Sequence, residues 1–138
     1  SAAELLKDNS NITFLFIGEG AQKTFLENKT KEKSLKNILF KPYQERNMLK
    51  ESLSLGDVHF ISLNPKLEGL IVPSKFYGII AAGRPPLFIG DINGEISNII
   101  CQNNCGYYFN NNANAEDLAF LLKRIAVSYE EIDSLSKN

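Results

Sequence analysis

Glu68-Gly69-Leu70-Ile71-Val72-Pro73-Ser74-Lys75, continuing through Phe76-Tyr77-Gly78-Ile79-Ile80-Ala81-Ala82-Gly83 to Arg84-Pro85-Pro86, is the stretch that decides how this chain folds. It follows an apolar run that reads as a buried strand, turns at Gly69, and enters a helix through Pro73 and Ser74. Pro73 suits a first helical turn, where its missing N–H was orphaned in any case. Gly83 ends the helix, and Pro85 and Pro86 prevent its continuation. A carboxylate, a glycine turn, a helix N-terminus and a lysine thus stand at the end of a strand. In an open α/β sheet anionic ligands bind at such a place, because unpaired N–H groups and the positive end of the helix dipole meet there.

Working outward, the apolar runs alternate with helical patterns. Strands are expected at 13–17, 37–40, 57–63, 87–89 and 106–109, each apolar on both faces. Continuous runs of this kind suit parallel strands covered by helices. Helices are expected at 21–33, 45–54, 74–82, 94–102 and 115–127, the last capped by Asn114 with Glu116 and Asp117 in its first turn. The tail after Ser128 either extends that helix or frays. Residues 2–7 read as the last turns of a helix without an N-cap. The series predicts an α/β fold with a Rossmann-like, doubly wound parallel sheet.

Composition narrows the function classes. The chain has 138 residues, 43% hydrophobic and 22% charged, with a net charge of −1. That suffices for one domain with a core. It supplies no global field toward nucleic acid, so no nucleic-acid partner is expected. There is no apolar run long enough for a transmembrane helix, and no signal peptide is visible; a cytoplasmic setting is expected. Cys101 and Cys105 read as structural thiols, since their spacing is not a zinc pattern. His59 is the only histidine and lies in a strand-like run, which leaves little for a triad or a histidine metal site.

Several residues could carry chemistry. Ser74 and Lys75 add a hydroxyl and a cation to the helix start, a set suited to a diphosphate; a generic helix entry would look the same. Glu68 suits a sugar hydroxyl or developing positive charge at an anomeric carbon, or it is a loop carboxylate. Gly18-Glu19-Gly20 is two-thirds of a dinucleotide fingerprint, or a tight turn. The ring of Tyr43, in the loop after the second strand, could flank a nucleobase, or pack in its loop. Asp91 and Glu95 in the loop 90–95 either reach a ligand or cap the following helix. Lys29, Lys31, Lys33 and Lys36 form a basic run that suits a solvated helix end.

The quoted stretch, with Phe16-Ile17-Gly18-Glu19-Gly20, Ile38-Leu39-Phe40-Lys41-Pro42-Tyr43, Gly56-Asp57-Val58, the loop 90–95, and Gly106-Tyr107 with Glu116-Asp117-Leu118-Ala119, resembles bacterial glycosyltransferases of group 1, family 4. These are retaining enzymes related to sucrose synthase and glycogen synthase, and the nearest subgroup is fucosamine-transferase-like, in surface-polysaccharide synthesis. The resemblance implies half of a two-domain GT-B enzyme: residues 1–138 as the carboxy-terminal, nucleotide-sugar-binding domain of a larger chain, lacking the first strand of its sheet. A sheet without that strand is expected to be rearranged, or completed by self-association.

By the same resemblance Glu68 is the catalytic acid of a paired-glutamate motif. Gly69, Leu70 and Ile71 offer backbone amides to sugar and diphosphate, and Pro73, Ser74 and Lys75 form the phosphate-facing helix start. Gly18 and Tyr43 complete the donor-binding set. The second acid of the motif has no counterpart, because Gly78 stands there. The implied reaction moves a sugar from a nucleoside diphosphate, taken as uridine diphosphate, to an acceptor hydroxyl with retention. No cofactor and no metal are expected. The implied acceptor is a saccharide or lipid-linked saccharide held by the amino-terminal domain, with the full enzyme peripheral to the inner membrane and this part alone inactive. The alternative is a non-catalytic nucleotide or sugar-nucleotide binding module.

Overall fold

The computed structural model describes residues 1–63, 66 and 73–138. All five expected strands form within one or two residues of their apolar runs: β1 (Phe14–Ile17), β2 (Ile38–Lys41), β3 (His59–Ser62), β4 (Pro86–Gly90) and β5 (Tyr107–Asn110). The helices are α1 (Ala2–Leu5), α2 (Lys23–Glu32), α3 (Leu49–Ser54), α4 (Ser74–Ala81), α5 (Glu95–Asn103), α6 (Ala115–Ala126) and α7 (Tyr129–Ser136). Every pairing among the described strands is parallel, so the α/β reading holds. Hydrogen bonds join the described strands in two groups, β1-β2 and β3-β4-β5, a rearrangement of the single doubly wound sheet that the sequence reading allowed for. Apolar runs specify strands and their burial, but they do not specify partners.

The chain divides into two compact units, residues 1–49 with 114–127 and residues 50–113 with 128–138. In the first, β1 and β2 run in register from Phe14 opposite Ile38 to Ile17 opposite Lys41. Asn37 is buried just before β2; its carbonyl accepts from Phe14 N–H at 2.8 Å and its side-chain amide donates to Ala3 O at 2.9 Å. It therefore ties the strand pair to α1, which packs on α6. On its inward side α6 buries Ala119, Leu122 and Ile125, spaced as one helical face requires. Ser1 occupies the N-cap of α1, with Glu4 at the third helical position, a cap that the sequence reading missed.

In the second unit β4 lies between its partners and is buried at four of five positions. This is why its run is apolar on both faces. Ile61, Phe76, Ile79, Phe88, Ile96, Ile100 and Cys105 form the core. Burying a side chain such as Phe76 or Phe88 contributes roughly 1.5–3 kcal/mol. Gly106 is required by close approach: a Cβ there would sit 2.5 Å from Pro86 O.

Helix ends follow their residues. Gly83, at φ +68, closes α4; its N–H donates to Ile80 O at 3.0 Å and Arg84 N–H donates to Ile79 O at 3.2 Å. That pair satisfies two terminal carbonyls and needs a left-handed residue, which glycine supplies. Asn114 caps α6 as expected, accepting from Asp117 N–H at 2.8 Å. Two helical expectations change in detail. Residues 45–54 split into a 3₁₀ turn, Arg46–Met48, followed by α3. Met48 and Leu49 stay exposed, so no buried apolar face holds the early residues in α geometry. The tail does not extend α6: Ser128 leaves helical geometry and caps a separate α7, which buries Ile132 and Leu135.

Candidate functional site

Parallel pairing sets all strands of a group pointing the same way, so their carboxyl ends share one edge. In the first unit that edge carries the turn after β1 and the loop after β2. Gly18 N–H donates to Lys41 O at 3.1 Å, joining the two ends. Gly18 has φ +137, and a Cβ there would meet nothing within 4 Å. Its requirement is therefore conformational, as a turn predicts. Beside it Phe16, Ile17, Gly20, Gln22, Lys23, Leu26 and Phe40 line, with Gly18, a depression of about 210 Å³. The Phe16 and Phe40 rings stack with centroids 5.5 Å apart, and Phe16 remains 44% exposed. Sequence reasoning missed this aromatic pair. Both residues were visible as strand apolars, but only the register that sets Phe16 opposite Phe40 brings them together.

Lys23 Nζ donates to Glu19 Oε1 at 2.7 Å, and that bond holds the ammonium above its usual pKa. The Glu19 carboxylate is thereby engaged with the first turn of α2. Tyr43, beyond β2, is 65% exposed, so it is not packed in its loop. Of the basic run, Lys33 pairs with Glu4, whose carboxyl is pulled down to about 2, chiefly by that hydrogen bond. Lys29 sits over the Phe25 ring at 5.7 Å.

In the second unit the carboxyl edge carries Ser62, Gly90 and Asn110, with Gly90 directly opposite Asn110. The loop 90–95 closes on itself. Asp91 Oδ1 accepts from Asn93 N–H at 2.9 Å, and its carbonyl accepts from Gly94 N–H at 3.1 Å and Ser97 Oγ at 2.6 Å. The loop thus serves the start of α5, where Gly94 is the N-cap and Glu95 lies in the first turn.

The connection from β3 to α4 contains the predicted catalytic Glu68 and the predicted donor residues Gly69, Leu70 and Ile71; these four lie outside the described residues. Pro73, Ser74 and Lys75 are described. Pro73 is the N-cap of α4, with φ −58 and ψ 123, and it has no side chain able to cap. Phe76 N–H returns to Pro73 O at 3.0 Å, while Ser74 and Lys75 are exposed. The first turn of α4 holds no acid. In contrast, α5, α6 and α7 each place one or two acids there. A helix dipole favours an anion at that end, and Lys75 puts a cation there instead. Lys23 is similarly placed on α2, but Glu19 neutralises it. Of the predicted set, Gly18 and Tyr43 thus belong to the first unit, and Pro73, Ser74 and Lys75 to the second.

Two further groups stand in the second unit. His59, at the start of β3, has Nε2 2.7 Å from Leu53 O, which requires that nitrogen to donate. Arg84 Nη2 donates to Ser54 O at 3.0 Å. Both serve the carbonyl end of α3, a favourable place for donors. Burial lowers the His59 pKa, and the charges of Arg84 and Lys75 lower it further. The histidine is therefore a strand residue, as its setting in the sequence suggested, and it also holds a helix end. Among the described residues no three His, Cys, Asp or Glu side chains converge as metal ligands, and no helix is long and apolar enough to cross a membrane.

Comparison with known proteins adds the remaining evidence. Residues 1–138 match the family model described as Glycosyl transferases group 1. WcaI of Escherichia coli (strain K12), named as a colanic acid biosynthesis glycosyl transferase, is 29% identical over 98 residues, which are 71% of this chain and 24% of WcaI. WbjE of Pseudomonas aeruginosa, named as a glycosyltransferase, is 33% identical over 110 residues, 78% of this chain and 26% of WbjE. The chain thus spans about a quarter of the length of either relative. The crystal structure of TarM superposes with a TM-score of 0.78 at 22% identity, covering 99% of this chain and 26% of TarM. That of WaaG, a glycosyltransferase involved in lipopolysaccharide biosynthesis, gives 0.73 at 18% identity, covering 99% of this chain and 35% of WaaG. These likenesses carry the fold: a Rossmann-like half of a GT-B glycosyltransferase.

Proposed function

Since the chain belongs to the group 1 glycosyl transferases, we propose that it is the donor-binding domain of an enzyme moving a sugar from a nucleoside diphosphate to an acceptor hydroxyl, with retention of configuration, in surface-polysaccharide synthesis. The observation that carries this reading is the start of α4. Its dipole end holds a lysine, no acid and no capping side chain, and bound diphosphate would balance that charge. The names of WcaI and of WaaG, which speak of colanic acid and lipopolysaccharide biosynthesis, support the polysaccharide setting. Uridine diphosphate is the proposed leaving group.

In this reading Ser74, Lys75 and the first amides of α4 hold the diphosphate, and Glu68 is the catalytic residue. Charge that develops on the leaving phosphate is met by groups already oriented toward it, so little reorganisation opposes the step. No metal is needed, because Lys75 and the helix dipole supply the positive charge. The acceptor, a saccharide or a lipid-linked saccharide, is bound by another domain of the enzyme, so residues 1–138 alone transfer nothing.

The test uses the full enzyme with UDP-N-acetylglucosamine and related donors, alongside Glu68→Gln. Expected are turnover that survives chelation of divalent metals, product in which the anomeric configuration is kept, and at least about a hundredfold loss of turnover in the variant, as befits a residue acting in the transition state. Full activity in Glu68→Gln would remove the catalytic assignment. A protein that binds nucleotide and shows no turnover with any donor would instead be a binding module.

A further inference from the structure

The turn between α1 and β1 borders a depression that the proposed donor site does not use. It measures about 400 Å³ and is lined by Leu5, Asp8, Asn9, Ser10 and Lys123, all of the first unit. Small-molecule sites have volumes of about 300–1,000 Å³. Residues 8–10 lead into the amino end of β1, whereas Gly18 and Tyr43 follow the carboxyl ends of β1 and β2.

The turn is fixed by its own hydrogen bonds. Asn9 N–H donates to Leu6 O at 3.0 Å, Ile12 N–H to Asn9 O at 3.3 Å, and Asn11 N–H to Asn9 Oδ1 at 3.0 Å. Asn9 therefore keeps its NH₂ group for a ligand, beside the Asp8 carboxylate and the Ser10 hydroxyl. Helix α1 packs on α6, which brings Lys123 to the same depression. Among the described residues Asp8 and Lys123 form no ion pair, with each other or elsewhere, while Glu4, Glu19 and Asp133 each pair with a lysine.

We infer that this depression binds a saccharide ring, apart from the donor edge. Its lining combines an acceptor, Asp8, two donors, Lys123 and Asn9, and a hydroxyl that does both, Ser10, with one apolar side chain, Leu5, 48% exposed. Sugar hydroxyls each donate and accept, and a pyranose also carries an apolar C–H face, so a saccharide satisfies all five. Other ligand classes match less of the set. Phosphate would meet the Asp8 carboxylate as well as Lys123. A divalent cation would find one carboxylate and an ammonium where it needs several oxygens. An apolar molecule would leave four polar groups without water or partner. Each hydrogen bond replaces one to water, so the net gain is small and affinity is about millimolar.

NMR titration of the full chain with glucose, galactose and N-acetylglucosamine tests this. Expected are saturable shifts of the Asp8, Asn9 and Ser10 amides with at least one of the three. Lys123→Ala and Asp8→Ala should each weaken that binding about tenfold, as loss of a charge-assisted bond implies. Both positions are exposed, so the urea midpoint should stay unchanged. None of the lining residues is among those proposed to hold the donor, so the shifts should persist with UDP present and in Lys75→Ala. No shift with any of the three sugars overturns the inference, as do shifts indifferent to both lining variants. Displacement by UDP would put the sugar at the donor edge and overturn it too. A response to inorganic phosphate or calcium stronger than to every sugar would make this an ion site and overturn the saccharide assignment.

Discussion

His59 illustrates how much one side chain's setting decides. It is half-buried, its ring is packed against Gly56 so closely that a Cβ there would lie 3.1 Å from Nε2, and it donates to Leu53 O. Burial disfavours the imidazolium, so its folded pKa lies below the usual 6.5. The unfolded chain then takes up this proton more readily than the folded one. Its contribution to stability is full above 6.5 and is lost as pH falls from there through the folded value. His59→Gln keeps a donor for Leu53 O and removes the titration. Urea midpoints at about pH 7.5 and about pH 5.5, either side of the ordinary histidine pKa, should fall further for the wild type than for the variant. Parallel falls would show that His59 does not titrate with folding. The sequence revealed the strand and the lack of partners for catalysis; the carbonyl that His59 holds belongs to a helix end six residues away and was not legible.

At the scale of elements, what could be read depended on whether a local residue carried the signal. The five strands were legible because each is a short apolar run, although only β4 is buried on both faces, and α4 was legible because Gly83 marks its end. The end of α2 had no such mark. It closes in the same way as α4, with Ser34 N–H donating to Lys31 O at 3.1 Å and Leu35 N–H to Thr30 O at 3.0 Å, but the left-handed position holds Ser34 at φ +51. A side chain there strains the backbone where glycine would not. Ser34→Gly should therefore stabilise the protein by about 1 kcal/mol, read as a higher urea midpoint at unchanged slope. An unchanged or lower midpoint would mean that Ser34 makes up its strain elsewhere. Strand pairing was the part least legible: nothing local to Phe16 or Phe40 announces that they stack, and nothing local to β2 or β3 announces that they fall in different hydrogen-bonded groups.

For the whole molecule, the family could be recognised because its signature lies in one continuous stretch, from Glu68 to Pro85, and the match extends over residues 1–138. Fold similarity to TarM and WaaG agrees with the βαβ alternation of the sequence. The site divides differently. Lys75 and the bare start of α4 could be anticipated from Pro-Ser-Lys, whereas the contrast with the acid-bearing starts of α5, α6 and α7 emerged only with the helix boundaries. The account's central claim is that this helix start receives the diphosphate of the donor. Titration calorimetry of the full chain with UDP, alongside Lys75→Ala, tests it most directly. The account predicts that UDP binds and that the variant binds it about tenfold or more weakly, as loss of one charge-assisted contact implies. Absence of UDP binding, or equal affinity in Lys75→Ala, would contradict it.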